Sequence, residues 1–306
     1  MLGVSTGWRS RSGRDGAAIV KDIAALKVKA VELDFRLNRK TLDEVGLALE
    51  ETGITAVSIH AVLPAALEKP EGRWAERYFL CATDEAERKL AVKDIEETLK
   101  LAARMNVKAV VLHSGEAPME KVTGRLQKMY DEGGQNSSKA KILLNKLRIE
   151  RLQARGASFD MLLKSLEELN NIASGLNVFI GLENRYFFRE YPNFEELAII
   201  FLKLSGSHIK YWHDTGHAQA QENMGITPHE AYLKEFGDQM IGVHLHDVDG
   251  YSDHLAPPFR GRGAVDFAMV KKYLKPDVLR ILEMRDGTPP EEAMNAVEWL
   301  QSNQIA

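Results

Sequence analysis

The stretch Ile209-Lys210-Tyr211-Trp212-His213-Asp214-Thr215-Gly216-His217 joins a short apolar run to the start of a segment with helical periodicity. The run Ile209–Asp214 has the length of a strand and ends in a carboxylate. His217 follows one helical turn after Asp214, so the two side chains can share one site. Seven other parts of the chain repeat this order of a short run followed by a longer helical segment.

The alternation of short runs and helical segments persists from end to end. In the segment 84–105, for example, Val92, Ile95, Leu99 and Ala102 recur at helical spacing with charged residues between them. The eight runs are 2–6, 30–35, 56–62, 109–113, 178–183, 209–214, 241–246 and 279–284. The main competitor, a doubly wound open sheet, usually has fewer strands and a Gly-rich first turn. We therefore predict an α/β protein, a (β/α)8 TIM barrel that occupies residues 1–306 as one domain.

The composition is that of an ordinary globular protein. Of the 306 residues, 44% are hydrophobic and 27% charged, which excludes disordered, collagen-like and disulfide-scaffold proteins. The net charge of −4 gives no general attraction to nucleic acid or anionic lipid. The single cysteine, Cys81, is expected to be a packed thiol in a reducing compartment. Because the chain has no membrane-spanning run and its amino terminus lacks a signal-peptide layout, we expect a cytoplasmic protein with no membrane partner.

One insertion interrupts the regular alternation. Residues 116–159, between the fourth predicted strand and its helix, contain helical stretches around a polar Gly-rich turn. Nine Lys or Arg against four acids between 117 and 159 give a local charge of +5. A barrel loop that follows a strand lies on the catalytic face, so this helical insertion is expected to cover the site as a lid. It could equally be a solvated hairpin or a contact within a homo-oligomer.

Side chains able to bind a metal stand at the ends of most of the predicted strands. The carboxyl ends of the strands of a TIM barrel surround its active site. Taken singly, a histidine in a strand is more often a hydrogen-bonded core residue than a ligand. Together, crowded carboxylates would repel one another, and a bound cation would compensate them. These residues are Glu32 or Asp34, His60, His113, Glu183, Asp214, His244 and Glu283.

Arginines follow two of these carboxylates. Glu183 and Glu283 each precede an arginine by two residues, Arg185 and Arg285. Arg285 could bind a substrate carboxylate or phosphate, or it could hold Glu283 in place. Aromatic side chains after the strands could line a sugar pocket or pack at the barrel mouth; these are Trp8, Trp74, Tyr186 and Phe187.

The chain contains, in order, the motifs Leu182-Glu183-Asn184, His213-Asp214-Thr215-Gly216-His217, His244-Leu245-His246-Asp247, Gly261-Arg262-Gly263-Ala264-Val265-Asp266-Phe267 and Leu282-Glu283. In order and context these motifs resemble the xylose isomerase-like TIM-barrel superfamily. That superfamily includes sugar phosphate isomerases and epimerases, ketose 3-epimerases, hydroxypyruvate isomerase, inosose dehydratase and the endonuclease IV class of abasic-site nucleases. The match runs from the first strand to the last helix, apart from the insertion.

The resemblance implies a metal site. In ketose epimerases of this kind, a Glu, an Asp, a His and a Glu from strands five to eight bind one divalent ion. The matching residues here are Glu183, Asp214, His244 and Glu283. The resemblance further implies that the two glutamates act as acid and base and that His217 contacts substrate. Such an oxygen-rich set suits Mn²⁺, Mg²⁺ or Co²⁺.

A second metal is an open alternative. In the endonuclease IV class, histidines after strands three and four complete a multi-zinc cluster, and His60 and His113 match them. If these and His217 also bind metal, the set becomes nitrogen-rich and favours Zn²⁺, as a two-metal site. His246 lies on the same strand face as His244 and is a further candidate for substrate contact, as is Arg185.

Two positions depart from the family patterns. The endonuclease IV cluster uses an Asp-x-His pair beyond strand seven, where this chain has Asp253-His254 with no residue between them. The ketose epimerases carry a substrate-binding arginine six residues after the strand-seven histidine, where this chain has Gly250. Candidates to replace that arginine are Arg185, Arg260 and Arg262.

These residues predict a reaction class but no single substrate. A divalent ion that holds a carbonyl and a neighbouring hydroxyl stabilises an enediolate, and a pair of glutamates can remove and return the proton. We therefore expect a metal-dependent isomerase or epimerase, or a related lyase, acting on a small sugar-like hydroxy-carbonyl compound. The alternative is an endonuclease IV-like phosphodiesterase that acts on abasic-site DNA, which the overall acidity disfavours. A barrel that binds a ligand without turnover has no need of so many polar strand ends.

Overall fold

The structure, a computed structural model, describes residues 1–10, 14–65 and 76–306. Its strands are β1 (Leu2–Ser5), β2 (Ala30–Leu33), β3 (Thr55–His60), β4 (Ala109–Leu112), β5 (Phe179–Glu183), β6 (Ile209–Asp214), β7 (Met240–Leu245), β8 (Asp247–Asp249), β9 (Ser252–Leu255) and β10 (Leu279–Leu282). All but β8 and β9 close into a parallel barrel in the order β1-β10-β7-β6-β5-β4-β3-β2. This confirms the predicted (β/α)8 barrel, and each predicted run contains most of one barrel strand.

Helices connect the strands. They are α1 (Gly16–Ala25), α2 (Arg39–Thr52), α3 (Glu85–Arg104), α4 (Thr123–Asp131), α5 (Ser138–Leu176), α6 (Phe194–Lys203), α7 (Thr215–Asn223), α8 (His229–Phe236), α9 (Phe267–Lys271) and α10 (Pro290–Ser302). In α3 the predicted apolar positions are buried, and the Asp84 side chain accepts the backbone N–H of Glu87 to begin the helix. Among the described residues, no helix is both long enough and apolar enough to cross a membrane.

Trp212 fills the inside of the barrel beneath the strand ends. It is completely buried and forms an interior cluster with Ala109, Val111 and Ile281. Its neighbours on β5 and β7 are Gly181 and Gly242, and a Cβ at Gly181 would lie 2.8 Å from Trp212 Cε3. The indole therefore requires glycine on the adjacent strands. The Trp212 ring lies 5.1 Å from the ring of His244, so it forms a rigid floor for the polar strand ends above.

The predicted insertion is helical. Helix α4 follows β4, and α5 begins within the insertion and continues as the barrel helix before β5, with a break in helical geometry at Gly156. Buried Arg151 anchors the insertion: its guanidinium pairs with Glu196 of α6 at 2.7 Å and donates to the backbone carbonyl of Glu190. This buried pair fixes one end of the insertion against the loop that follows β5.

The antiparallel pair β8–β9 is an addition that the periodicity did not predict. It directly follows β7, with Asp247 at its start. The Asp247 carboxylate accepts backbone N–H groups of Val248, Phe259 and Val265, and a Cβ at Gly263 would overlap that carboxylate. The aspartate and the glycine of two separate motifs thus close one loop over the barrel mouth.

Cys81 is buried, and burial raises the pKa of its thiol to about 12. Its packing matches the expected role of a neutral, unreactive thiol.

Candidate metal centre

Four side chains from neighbouring strand ends meet at one point. Glu183 and Asp214 are the last residues of β5 and β6, His244 is one residue from the end of β7, and Glu283 follows β10. These strands are adjacent in the barrel, in the order β10-β7-β6-β5. One ligand atom from each residue lies within 4.8 Å of those of the other three, and all four residues are buried. The residues predicted to bind one divalent ion are therefore brought together.

The His244 imidazole is at the centre of this group. Its Nδ1 lies 2.7 Å from Glu183 Oε1, 3.1 Å from Glu283 Oε2 and 3.7 Å from Asp214 Oδ2. Glu183 and Glu283 come from β5 and β10, and two strands, β6 and β7, lie between these in the barrel. Three carboxylates thus face one nitrogen from three directions, an arrangement that a divalent cation would complete.

Glu32 and Asp34 lie near the end of β2, and only Glu32 reaches this group. The carboxylates of Glu32 and Asp34 are both completely buried. Glu32 Oε1 lies 3.0 Å from Nε2 of His244, and the Ser58 hydroxyl donates to Glu32 Oε2 at 2.8 Å. Asp34 instead pairs with the guanidinium of Arg36 at 2.6 Å. The structure thereby settles an alternative that the sequence left open.

His60 and His113 lie beside the group on the cavity wall. Their rings are 4.6 Å apart, and the His60 ring stacks on that of His244 at 5.6 Å. His113 Nε2 lies 3.5 Å from Glu183 Oε2, whereas His244 approaches the other oxygen, Oε1. Burial, together with the neighbouring His113, lowers the pKa of His60 well below its usual value. A neutral imidazole is the form that binds a metal.

A second group of potential ligands also includes Asp214. His217 Nδ1 lies 3.5 Å from Asp214 Oδ2, and His246 Nε2 lies 2.9 Å from Asp214 Oδ1. The ring of His254, in β9, stacks on that of His246 at 4.3 Å and completes the group. Asp253 Oδ2 approaches His217 Nε2 at 3.7 Å. Sequence reasoning did not include His254 as a candidate, although Asp253-His254 was its visible signal.

His246 lies behind Asp214 and is completely buried. Its Nδ1 accepts the backbone N–H of His254 at 2.9 Å, so its Nε2 carries the hydrogen and donates to Asp214. The ring packs directly on Gly216, where a Cβ would overlap it. This contact explains the glycine in the His213–His217 motif, and it makes His246 a support for Asp214 instead of part of the cavity wall.

The two predicted arginines have different surroundings. Arg185 is buried, contacts Glu183 Oε2 and lies 3.2 Å from Glu190 Oε1. Arg285 is exposed; it donates to the Ser252 hydroxyl at 3.0 Å and to the Asp253 carbonyl at 2.8 Å. Its guanidinium makes no such contact with Glu283, so the alternative that Arg285 holds Glu283 does not apply within the described residues.

The structure also explains the departure at Gly250. This residue turns the chain between β8 and β9 with a φ of +66°, and a Cβ there would lie 3.3 Å from a ring carbon of Tyr130. An arginine would be strained at this position. Arg260 and Arg262 pair with Glu292 and Asp249, away from the described cavity wall.

The surroundings of the two glutamates keep their carboxylates ionised. Burial raises the pKa of Glu183, but Arg185 and the neighbouring imidazoles outweigh this and hold it well below its usual range. Burial likewise raises the pKa of Glu283, and the charges of His244 and His254 bring it below the usual value. Burial lowers the pKa of His244, but Glu283 and Glu32 raise it further than burial lowers it. At neutral pH the two glutamates are therefore ionised, as metal ligands must be.

A cavity of about 570 Å³ opens above the group. Glu183, Glu283 and His217 form part of its wall, as do Arg285 and Gln127, the latter from the insertion. Of the aromatic candidates, Tyr186 and Phe187 line this cavity, while Trp8 is buried and donates its indole N–H to the Thr288 carbonyl at 2.8 Å. Trp74 lies outside the described residues.

A buried polar network supports Asp214 from below. Asn184 donates to the Asp214 carbonyl at 2.9 Å and accepts its N–H at 2.8 Å, which ties the ends of β5 and β6 together. The Tyr211 hydroxyl donates to Asn184 at 2.9 Å and contacts His213, whose other ring nitrogen lies 3.0 Å from His229. Burial lowers the pKa of His229 to about 4, so it is neutral at pH 7. The network fixes the backbone from which Asp214 projects.

A family model described as xylose isomerase-like TIM barrel matches residues 20–303. The chain belongs to this family. Membership agrees with the resemblance found in the motifs. Four of the five motifs deliver a strand end to one group of ligands, and the fifth, which contains Gly263, packs on Asp247.

Individual relatives are distant. The uncharacterized protein MJ1614 of Methanocaldococcus jannaschii is 26% identical over 207 residues, which cover 65% of this chain and 63% of that protein, just under two thirds of its length. Among solved structures, a D-tagatose 3-epimerase-like protein superposes with a TM-score of 0.69 at 20% identity, covering 100% of this chain and 99% of its own. The Escherichia coli 3-keto-D-glucoside 4-epimerase YcjR does so with a TM-score of 0.67 at 18% identity and 98% coverage of each chain. At these identities the likeness concerns the fold.

Proposed function

We propose that this chain is a divalent-metal-dependent isomerase or epimerase of a small sugar-like hydroxy-carbonyl compound. The observation that carries the proposal is the meeting of Glu183, Asp214, His244 and Glu283, with ligand atoms within 4.8 Å, at the foot of a cavity large enough for a sugar. Family membership and the two superposed structures, an epimerase-like protein and an epimerase, support it.

The donor set fits a divalent ion. Three carboxylates and one imidazole are buried together, and without a cation the carboxylates would repel one another. This oxygen-rich set favours Mn²⁺, Mg²⁺ or Co²⁺, and Zn²⁺ becomes competitive if His60 and His113 also bind metal. When bound, the ion would polarise the substrate carbonyl and stabilise the negative charge of an enediolate.

The two glutamates differ in how firmly they are held. Glu183 is fixed from several sides, by Arg185, His113 and His244. Glu283 has one imidazole within hydrogen-bonding distance, that of His244, and a second at 3.7 Å, that of His254. Both line the cavity and both are ionised, so each can accept a proton from the substrate or from solvent and, once protonated, return it to a carbon of the substrate. We assign them the acid and base roles on this basis, with Glu283 as the less constrained partner.

The substrate contacts follow from the wall of the cavity. His217 and Arg285 are available there, and Arg285 has no carboxylate partner among the described residues. Arg185 is engaged by Glu183 and Glu190 and would contact a substrate oxygen as a positioned donor. We assign the insertion 116–159 the role of a lid, because Gln127 lines the cavity and donates to the Tyr186 hydroxyl at 2.9 Å.

The test is hydrogen exchange with solvent. Wild-type protein loaded with Mn²⁺ is expected to incorporate deuterium from D₂O into one or more members of a panel of ketoses and keto-glycosides. E283Q is expected to lose this incorporation by at least 100-fold, because the amide cannot accept the proton. E292Q, which removes a surface carboxylate paired with Arg260, serves as the matched control. Undiminished exchange in E283Q would disprove the acid–base assignment, and a wild type that exchanges none of the panel would count against the isomerase.

A second candidate function, an endonuclease IV-like phosphodiesterase, is favoured by one observation. His60 and His113 lie beside Glu183, so this side of the group could hold a second ion that activates water. Metal content and nicking of an abasic-site oligonucleotide test it together. Several zinc ions per chain together with nicking would support the nuclease, whereas one ion per chain without nicking would exclude it.

A further inference from the structure

Glu32 stands apart from the other carboxylates of the centre. Glu183, Glu283 and Asp214 face the Nδ1 side of His244, whereas Glu32 faces Nε2, with its two oxygens at 3.0 and 3.1 Å. It therefore lies on the far side of the imidazole and does not belong to the four-ligand group.

Glu32 is placed to accept the ring hydrogen that His244 keeps when its other nitrogen binds a cation. The Ser58 hydroxyl donates to Glu32 Oε2 at 2.8 Å, and Ser58 is paired directly with Glu32 in the neighbouring strand. Nδ1 lies 2.7 Å from Glu183 Oε1, so both ring nitrogens face carboxylates. A cation among Glu183, Asp214 and Glu283 would take the lone pair of Nδ1, and the one remaining ring hydrogen would then lie on Nε2, from which it is donated to Glu32.

The contact also fixes the orientation of the ring. Glu32 is completely buried, and rotation of the imidazole away from it would leave a buried carboxylate without this donor. The Trp212 ring, 5.1 Å away, and the stacked His60 ring, 5.6 Å away, restrict the other directions. The ring is therefore held between the Glu32 carboxylate, which Ser58 in turn positions, and two aromatic neighbours.

We propose that Glu32 is a positioning residue of the metal centre. It orients His244 and makes Nδ1 a stronger ligand through the hydrogen-bond series Ser58–Glu32–His244. This inference rests on the proposed metal-dependent function. A carboxylate that accepts the second N–H of a ligating histidine fixes the tautomer and raises the basicity of the ligand, and its loss typically reduces metal affinity about 10- to 100-fold.

The experiment measures Mn²⁺ binding by titration calorimetry, without substrate. E32Q keeps the shape of the side chain but removes its charge, and we expect it to weaken Mn²⁺ binding about 10- to 100-fold. The matched control is D34N, which removes another buried carboxylate from the same strand end, one that contacts Arg36 instead of a ligand. We expect D34N to bind Mn²⁺ within about twofold of wild type, because a carboxylate that contacts none of the metal ligands contributes little to the metal affinity.

Ser58 provides a second test that does not depend on the fold of E32Q. If Ser58 acts through Glu32, S58A weakens Mn²⁺ binding less than E32Q does, and the double variant binds no more weakly than E32Q alone. The visible absorption of bound Co²⁺ should also change in E32Q, since it reports the ligand field at His244. Circular dichroism and melting of the metal-free variants check that the barrel is intact.

The outcomes separate the two proposals. If the wild type binds neither Mn²⁺, Co²⁺ nor Zn²⁺, the metal centre itself fails, and the proposed function fails with it. If the wild type binds Mn²⁺ and E32Q or, where E32Q does not fold, S58A binds it equally well, the role of Glu32 is disproved while the centre stands. If the losses of Mn²⁺ affinity in S58A and E32Q add in the double variant, Ser58 does not act through Glu32, and the proposed hydrogen-bond series is overturned.

Discussion

Substitution of Gly216 by alanine tests the contact that holds Asp214 in place. Gly216 is the second residue of α7, and its missing side chain makes room for the His246 ring. A Cβ at this position would overlap two atoms of that ring and lie 3.1 Å from a third, Nε2. The ring would have to move by at least about 1 Å, since carbon atoms pack at about 3.5–4.0 Å.

The displacement would cost stability in two ways. Forcing an extra methyl group into a packed region costs about 1–3 kcal/mol. Movement of the ring would also break the His246 hydrogen bonds to Asp214 at 2.9 Å and from the His254 backbone at 2.9 Å. A hydrogen bond to a charged group contributes about 1.5–3 kcal/mol. We therefore expect G216A to lose roughly 3–5 kcal/mol, which corresponds to a decrease in Tm of about 5–8 °C for a chain of this size.

Gly124 supplies a matched control. It is the second residue of α4, it also follows a threonine, and a Cβ there would meet nothing within 4 Å. Because alanine favours the helix over glycine by up to about 1 kcal/mol, G124A should leave Tm unchanged or raise it slightly. Thermal unfolding of the metal-free proteins, followed by circular dichroism, measures both variants. A G216A protein that melts with G124A or above the wild type would refute the contact between Gly216 and His246, and with it the support that we assign to Asp214.

Two further predictions concern the insertion and the acid side of the stability profile. R151M removes the nearest cation from buried Glu196 and leaves only the guanidinium of Arg155, 3.8 Å away, so it is expected to cost about 3 kcal/mol in urea unfolding, the lower end of the range for a broken buried pair. K146M, on the exposed face of the same helix, should change stability by less than about 0.5 kcal/mol. Equal effects would contradict the anchoring role. Burial lowers the pKa of His229 to about 4 in the folded protein. Because the unfolded chain binds this proton at higher pH, the free energy of unfolding decreases from about pH 6.5 towards pH 4, by about 3 kcal/mol for this group. H229Q should remove that share of the decrease, and urea midpoints at several pH values would show an unchanged slope if the reasoning is wrong.

The barrel could be predicted from sequence because its signals are local. Each short apolar run and each helix with buried positions such as Leu99 can be recognised within one segment, and eight repeats leave few topologies. The pair β8–β9 could not be predicted in this way. It is short, partly exposed and held by the contacts of Asp247 with the loop near Gly263, which join residues that local periodicity does not relate.

The candidate site was partly predictable for the same reason. A carboxylate such as Glu183 at the end of a parallel strand must lie at the barrel mouth, so its convergence with His244 followed from the fold. Which of Glu32 and Asp34 would reach His244 depended on side-chain direction and on Arg36, and neither is encoded in a spacing. The position of His246 behind Asp214, away from the cavity wall, is likewise a matter of packing across strands.

The number of bound ions links the site to its substrate. Seven carboxylates and three guanidinium groups line the described cavity, together with His254, whose pKa burial lowers but Asp253 and Glu283 raise to about 9. With His254 charged and the other histidines neutral, the formal charge is −3. One divalent ion would leave the wall negative, an environment that favours an uncharged polyhydroxylated compound over a phosphodiester. Three ions would reverse the sign and favour a polyanion instead. The number of bound ions therefore decides the sign of the charge that the substrate meets. A sugar-like substrate is the better match when one ion is bound per chain.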